Sequence, residues 1–310
     1  MPSCTNRTPS GKPKWLRRSL PTGPEYEKIR RLLKGHALTT VCQEAKCPNQ
    51  FECYGQGTAT FMILGEKCTR NCRFCAVGHR PETLPDPEEP ERVAEAVALL
   101  QLRYAVVTSV TRDDLPDGGA ALFAQTITAI RKHQPNTLVE VLIPDLQGDH
   151  SALLTIVNAD PDVLNHNIET VARLYPEVRP QAEYTRSLDL LRRVKETFPH
   201  LPTKSGIMLG LGETTGEIEE TWHDLRAVGC DILTMGQYLQ PSAEHLPVQC
   251  FLPPEEFAEL ADKALALGFA GVAAGPFVRS SYQAESLYHK AMRRIEVLRT
   301  TACREDVRKY

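Results

Sequence analysis

From residue 58 onward, short β-branched apolar runs alternate with segments of helical hydrophobic periodicity. In the first helical segment Val93, Val97 and Leu100 recur at spacings of three and four residues and therefore share one face. The next apolar run, residues 104–110, is rich in valine and predicts a strand. Predicted strands span residues 58–64, 104–110, 138–143, 163–168, 203–211 and 231–239, and predicted helices span residues 90–100, 119–133, 150–158, 187–198, 215–228 and 254–267.

This alternation predicts βαβ units and therefore an α/β fold built on a parallel sheet. Six units are clear, and the apolar segment 269–274 is a candidate seventh strand. A doubly wound sheet usually carries a glycine fingerprint after its first strand, whereas here a cysteine-rich loop follows. We therefore expect an incomplete (β/α)6-type barrel over residues 58–275, with extensions at residues 1–57 and 276–310 and chemistry at the C-terminal strand ends.

Composition narrows the functional class. The chain has 310 residues, 42% hydrophobic and 24% charged, which excludes a wholly disordered chain or a polytopic membrane protein. Its net charge of -3 gives no global basic field for nucleic acid. The longest uncharged apolar stretch, residues 264–278, is too short to span a bilayer, and no secretory signal is visible. We expect a cytoplasmic protein that binds neither nucleic acid nor membrane.

The N-terminal extension is basic. Its first 35 residues contain nine Lys or Arg and only two acids, together with five prolines that argue against regular structure. The interpretations are a flexible basic arm, an arm that docks a partner, or an organelle transit peptide. The prolines disfavour the amphipathic helix of a transit peptide, so we favour an arm of the mature protein.

Six of the ten cysteines lie between residues 42 and 75, and they form two triplets. Cys68, Cys72 and Cys75 form a C-x3-C-x2-C loop directly after the first predicted strand. Thiolates bind soft metals and iron–sulfur clusters. Three ligands on one loop can hold three irons of a cubane and leave the fourth iron open. The alternative, a zinc knuckle, needs a fourth ligand and usually paired cysteine elements.

The second triplet, Cys42, Cys47 and Cys53, has a spacing that is irregular for zinc. Three thiolates again suggest a cubane, one whose fourth ligand comes from elsewhere in the chain. The alternative is three buried structural cysteines, since free cysteine is often found in cores. One proline, one asparagine and two glycines (Pro48, Asn49, Gly55 and Gly57) predict a loop in this stretch, where burial without a metal would be unusual.

The C-x3-C-x2-C loop resembles the signature of the radical S-adenosylmethionine superfamily. Together with both cysteine spacings, longer stretches resemble the lipoyl synthase family, from about residue 14 to the Arg279-Ser-Ser-Tyr282 sequence. The resembling stretches are residues 40–53, 57–65, 108–119, 140–145, 165–170 and 279–282.

The resemblance implies insertion of two sulfur atoms at carbons 6 and 8 of a protein-bound octanoyl-lysine. It implies that Cys68, Cys72 and Cys75 hold a catalytic [4Fe-4S] cluster whose open iron binds S-adenosylmethionine. It implies that an auxiliary [4Fe-4S] cluster supplies the sulfur and is held by Cys42, Cys47, Cys53 and a serine of the last motif, for which we choose Ser280 and keep Ser281 in reserve. The implied partners are octanoylated lipoyl carrier domains (2-oxoacid dehydrogenase E2 subunits and the glycine cleavage H protein), an electron donor, and iron–sulfur assembly or repair proteins.

Four further residues are candidate contacts for S-adenosylmethionine. Phe74 is placed to stack on adenine, or only to pack within the loop. Asn165, Asn167 and Glu169 end a predicted strand, so their polar groups either face the cofactor or close a turn.

Three other functions stay open at this point. A methylthiotransferase would usually carry an added RNA-binding domain. A two-cluster electron carrier would not need a barrel of this size. A zinc-stabilised binding module would hold zinc in place of iron.

Overall fold

A computed structural model describes residues 12–17, 23–56 and 59–307, and for residues 298–307 it describes the backbone only. The remaining parts of the basic arm and the first residue of the predicted strand 58–64 lie outside these ranges. The strands are β1 Thr39–Thr40, β2 Thr60–Ile63, β3 Lys67–Cys68, β4 Gly78–His79, β5 Tyr104–Ser109, β6 Leu138–Leu142, β7 Val163–Asn165, β8 Thr203–Leu209, β9 Ile232–Gln237 and β10 Gly271–Gly275. The helices are α1 Pro24–Gly35, α2 Val41–Glu44, α3 Gln50–Gly55, α4 Glu89–Leu99, α5 Ala120–His133, α6 His150–Val157, α7 Tyr175–Val178, α8 Tyr184–Thr197, α9 Thr215–Ala227, α10 Pro254–Ala266 and α11 Ala284–Val307.

Eight strands form one sheet in the order β1-β2-β5-β6-β7-β8-β9-β10. Strand β1 pairs with β2 antiparallel, and every other pair in this sheet is parallel. Helices α4, α5, α6, α8, α9 and α10 connect successive parallel strands. Within the described ranges no pairing joins β1 to β10, so the predicted incomplete barrel is confirmed as an open, largely parallel α/β sheet, and β10 is the seventh parallel strand.

Alternating residues of the strands face two different layers, as the twofold repeat of a strand requires. Val107 and Leu233 pack into the large core shared with the connecting helices. Val106 and Ile232 face the other side, where helix α11 covers the concave face of the sheet. The approach is close at Gly271, where an added Cβ would lie 2.9 Å from the Cβ of Ala291.

The N-terminal region contradicts the expectation of no regular structure. Residues Pro24–Gly35 form α1, in which Pro24 occupies the first turn, where its missing N–H costs no hydrogen bond. Ile29 and Leu33 are buried, and Tyr26 stacks on Phe51 of α3 with ring centroids 5.2 Å apart. A proline at residue 24 therefore starts a helix instead of preventing one.

The stretch around Cys42, Cys47 and Cys53 was expected to be a loop, and this expectation is also corrected. Its residues form two short helices, α2 and α3, which carry Cys42 and Cys53. Tyr54 of α3 is fully buried, and its hydroxyl lies 2.7 Å from the hydroxyl of Thr40. Packing against α1 and β1 thus stabilises helices that are too short to form on propensity alone.

A buried polar cluster crosses the concave face of the sheet. Lys204 of β8 donates to both carboxylate oxygens of Glu140 on β6, at 2.8 and 3.0 Å. Tyr104 donates to the same carboxylate at 2.6 Å and Asn165 at 2.9 Å. The Lys204 and Glu140 side chains are 2% and 1% exposed, so their charges depend on each other for compensation.

Lys204→Met should destabilise the fold by about 3–5 kcal/mol, because it leaves the Glu140 carboxylate buried without a cation. The double variant Lys204→Met/Glu140→Gln should recover a large part of that loss. A glutamine can still accept from Tyr104, and it can donate to the Asn165 Oδ1, which has no partner now. Urea unfolding of the three proteins measures both effects, and equal losses in the single and double variants would contradict this account.

Candidate functional site

One cavity of about 480 Å³ opens at the C-terminal ends of the parallel strands. Residues just beyond β5, β6 and β7 line it, namely Val110, Ile143 and Asn167. All six clustered cysteines line the same cavity, as do both serines of the Arg279-Ser-Ser-Tyr282 sequence and Lys12 of the basic arm. The cavity therefore lies where a partial barrel is expected to carry its chemistry.

The Cys68–Cys75 loop is fixed to the sheet by Arg70, whose side chain is 3% exposed. Its Nε and Nη2 donate to the two carboxylate oxygens of Asp113 at 2.6 and 2.9 Å, and Nη2 also donates to Asp145 at 2.5 Å. Burial opposes ionisation of Asp145, but Arg70 outweighs it and lowers the pKa of this carboxyl to about 2. The loop is thus held by charge-assisted bonds to the ends of two neighbouring strands.

The backbone of the same loop is tied at its start and in its middle. Thr69 N–H donates to the Thr111 carbonyl at 2.9 Å, and Arg73 N–H donates to the Val178 carbonyl at 2.9 Å. The short parallel pair β3 and β4 closes the base of the loop. These bonds leave the three thiols in a fixed frame at the cavity wall.

Two thiols of this loop, those of Cys72 and Cys75, lie in a buried setting that opposes their ionisation. Burial raises the pKa of Cys75 to about 12, and the neighbouring Cys72 and Cys68 add to the rise. Burial also raises the pKa of Cys72, whereas the positive charge of the nearby Arg179 lowers it. Bound iron would favour the ionised form instead, since thiols bind metal as thiolates and release their protons on binding.

The upstream triplet is built on α2 and α3. Cys42 lies in α2 and Cys53 in α3, and the Cys47 N–H donates to the Cys42 carbonyl at 3.1 Å in the turn between them. Burial raises the pKa of Cys42 to about 11, and Cys47 adds to the rise. Three thiols from two helices and their connection therefore face the cavity opposite the strand ends.

Residues 277–282, which we call the strap, join the chain's C-terminal part to this upstream triplet. Asn49 Nδ2 donates to the Phe277 carbonyl at 2.6 Å, and Tyr282 Oη donates to Glu52 Oε1 at 2.9 Å. These contacts span more than two hundred residues of sequence. They hold the strap, with Ser280 and Ser281, beside α3 and at the cavity.

Asn167 and Glu169, which follow β7, form a polar part of the cavity lining. Asn167 Nδ2 donates to Glu169 Oε1 at 3.0 Å and lies 2.7 Å from Ser280 Oγ. Arg179 Nη1 donates to the Asn167 carbonyl at 3.1 Å, which fixes the backbone there. Burial raises the pKa of Glu169, and the positive charge of Arg179 opposes the rise.

Nearly all the sequence-predicted site residues meet at this cavity. Phe74, Asn167 and Glu169 line it together with the six cysteines and Ser280. Asn165 is different: it is fully buried and its amide donates to Glu140 in the polar cluster of the sheet, away from the cavity lining.

Sequence reasoning did not find Arg70, Arg179 or the Asn49–Phe277 contact. Arg70 lies inside the cysteine motif, so its position was a usable signal. Arg179 and Asn49 carried none, because their roles depend on contacts made only in the folded chain.

Among the described residues, no three His, Cys, Asp or Glu side chains converge as they would around a single metal ion. A cubane makes a different demand, because each of three irons takes one thiolate and the ligands surround a volume. The two thiol triplets that line the cavity have the donor chemistry that such clusters would need. In the same described ranges, no helix is long and apolar enough to cross a membrane.

Known proteins with similar sequences fall in one family. Residues 62–225 match the radical SAM superfamily, and residues 5–47 match the N-terminal domain of lipoyl synthase of the radical SAM family. A lipoyl synthase of Desulfotalea psychrophila is 69% identical over 91% of this chain and 94% of its own length. A lipoyl synthase of Symbiobacterium thermophilum is 56% identical over 95% of this chain and 92% of its own.

Solved structures with a similar fold include two that are distant in sequence. HydG, a maturase of the [FeFe]-hydrogenase, has a TM-score of 0.57 and 16% identity, covering 74% of this chain and 54% of its own. Streptococcus suis SuiB bound to S-adenosylmethionine has a TM-score of 0.53 and 10% identity, covering 71% of this chain and 51% of its own. These two support the fold alone, whereas the sequence matches extend over nearly the whole chain. The chain therefore belongs to the lipoyl synthase family of the radical SAM superfamily.

Proposed function

We propose that this chain inserts sulfur at carbons 6 and 8 of an octanoyl group bound to a carrier-domain lysine, which gives the lipoyl group. The observation that supports this most is that two cysteine triplets from separate parts of the chain line one cavity. The function of an electron carrier would not require a shared cavity. Insertion of sulfur into a chain does, because the carbon radical and the sulfur source must meet.

Membership in the radical SAM superfamily implies a [4Fe-4S] cluster and S-adenosylmethionine. We propose that Cys68, Cys72 and Cys75 hold this cluster, and that Phe74, Asn167 and Glu169 contact S-adenosylmethionine. We further propose that Cys42, Cys47, Cys53 and Ser280 hold a second, auxiliary [4Fe-4S] cluster. When bound, the two clusters supply the electron that cleaves S-adenosylmethionine and the sulfur that is inserted, which acid–base groups cannot provide.

The protein's own residues would orient these parts and keep water out. Arg70 holds the loop of Cys68, Cys72 and Cys75 at the strand ends, so a cluster bound by these thiols would lie at the cavity. The cavity is mostly apolar, and Val110, Ile143 and Met208 offer a surface that suits an octanoyl chain. An apolar, closed surrounding also protects a carbon radical from side reactions.

One ligand of the proposed auxiliary cluster, the serine, would bind its iron less strongly than the three thiolates do. An alkoxide is a harder ligand than a thiolate, so a serine ligand matches iron–sulfur chemistry less well and detaches more readily. Ser280 is our choice for this role because its oxygen lines the cavity near the polar wall, and Ser281 is the reserve.

The proposed partners are octanoylated lipoyl carrier domains, an electron donor and proteins that rebuild the auxiliary cluster. A cytoplasmic setting suits the free thiols of both triplets, since reducing conditions keep cysteines available for iron. Lys12 lines the cavity, and Lys14 and Arg17 are exposed beside it in the chain. We propose that this basic segment attracts acidic carrier domains.

The two triplets should fail in different ways when they are mutated. Incubation with an octanoylated carrier domain, S-adenosylmethionine and reductant should give a carrier whose mass reports two added sulfurs. Cys68→Ala should abolish cleavage of S-adenosylmethionine, because the open-iron cluster is lost. Cys42→Ala should retain part of the cleavage and form no carbon–sulfur bond. Mass spectrometry and the yield of 5′-deoxyadenosine measure both, and lipoyl product from Cys42→Ala would contradict the division of labour.

Replacing Lys12, Lys14, Arg17 and Arg18 by Gln should raise KM for a carrier domain by roughly threefold or more, because charge attraction mainly speeds association. Arg18 lies outside the described residues and is included on sequence alone. KM for a short octanoyl-lysine peptide should not change, and added salt should remove the difference. The matched control also removes four positive charges at exposed positions, through Arg103→Gln/Lys132→Gln/Arg192→Gln/Lys263→Gln. Equal effects on domain and peptide would refute docking by this segment.

A further inference from the structure

The hydroxyl of Ser280 is bound to the barrel, not left free at the cavity. Its Oγ lies 2.7 Å from Asn167 Nδ2 and donates to Asn167 Oδ1 at 2.9 Å. Asn167 follows β7, whereas Ser280 belongs to the strap, and the two residues are 113 positions apart. One side chain of the barrel therefore offers both a donor and an acceptor to this oxygen.

Gly206 of β8 makes room for this contact. An added Cβ at Gly206 would lie 2.8 Å from Asn167 Oδ1 and 3.1 Å from Ser280 Oγ. The same Cβ would lie 2.7 Å from Thr234 Oγ1, so an added methyl group would displace Thr234 as well as the Asn167–Ser280 pair. The backbone φ of Gly206 is not in the left-handed region, so the space, and not the conformation, requires glycine here.

The strap does not depend on the Ser280 contact to stay where it is. Asn49 holds it at Phe277, and Glu52 holds it at Tyr282. Since both ends are anchored beside α3, a change of partner by Ser280 needs only a local movement of its side chain.

The acceptor end of Asn167 distinguishes two states of the serine. Oδ1 can accept only from a protonated hydroxyl, whereas a serine that ligates iron as an alkoxide has given up that proton. The bond to Oδ1 and the bond to iron are therefore mutually exclusive, even though Nδ2 can donate to the oxygen in either state.

We propose that Asn167 is the alternative partner of Ser280 and holds the serine after it leaves the auxiliary cluster. This rests on the proposed function, in which Ser280 ligates that cluster. The exchange is balanced without any oxidant or reductant. Ser280 would give up its bond to iron, its oxygen would take a proton from water, the hydroxide formed would pass to solvent, and the new O–H would donate to Asn167 Oδ1. Asn167 thereby acts as a positioning residue that makes one iron of the auxiliary cluster easier to lose.

The test measures iron release rather than turnover. Full-length protein is reconstituted anaerobically with iron and sulfide, and a ferrous chelator is added without substrate. Asn167→Leu should slow the release of the first auxiliary iron by roughly two- to tenfold, the factor that the loss of one hydrogen bond gives.

Gly206→Ala is a second variant that leaves the amide in place. Its added methyl should separate Asn167 from Ser280 and slow iron release in the same direction. In a Ser280→Ala background, neither substitution should change the rate, because the exchanging group is gone. Tyr282→Phe removes the anchor to Glu52, so Ser280 should ligate iron less readily and iron release should be faster, the opposite direction.

Faster release in Asn167→Leu would mean that Asn167 directs Ser280 onto iron, and it would overturn the inference, as would an unchanged rate. An effect that persists in the Ser280→Ala background would overturn it as well. About four irons per chain in the reconstituted protein would remove the auxiliary cluster, and with it both the proposed function and this inference. About eight irons with an unchanged rate would remove the inference alone.

Discussion

A buried ion pair cluster around Arg70 is the interaction on which the site depends. Arg70 lies inside the C-x3-C-x2-C loop, and its guanidinium binds Asp113 and Asp145, which follow two neighbouring strands. Without Arg70 the loop would keep its backbone bonds to Thr111 and Val178 and the short β3–β4 pair, but it would lose its bonds to the two aspartates. Arg70 lowers the pKa of Asp145 to about 2, so this carboxylate keeps its negative charge. The register of the parallel sheet therefore sets the position of the cysteines.

The second constraint is the contact between the strap and the N-terminal extension. The strap is anchored to the upstream triplet by Asn49 and Tyr282, and α11 then runs back across the concave face of the sheet. The two extensions thus complete one cavity from opposite ends of the sequence. This explains how cysteines before the first parallel strand and serines after the last one come to line the same wall.

The sequence allowed a good prediction of the repeating elements and of the donor groups. Periodicity located six strands and six helices because each buries one face of a regular element. Cysteine spacing singled out both triplets, and all six of these cysteines line one cavity, while their ligation of iron stays a prediction. Helix α1 was missed because Pro24 was interpreted as a breaker, although a helix tolerates proline in its first turn. The contacts of Asn167 with Ser280 and of Asn49 with Phe277 join residues more than a hundred positions apart, and no local pattern encodes them.

The central claim is that the auxiliary cluster, held at the same cavity as the catalytic one, is the source of the inserted sulfur. Sulfur-isotope tracing tests it most directly. The clusters are assembled with heavy sulfide, free sulfide is removed, and the lipoyl group formed on the carrier is weighed. The account predicts two heavy sulfur atoms in each lipoyl group and, without a repair system, at most about one lipoyl group per chain, with loss of roughly half the iron. A product that carries only light sulfur, or many unassisted turnovers with both clusters intact, would contradict it.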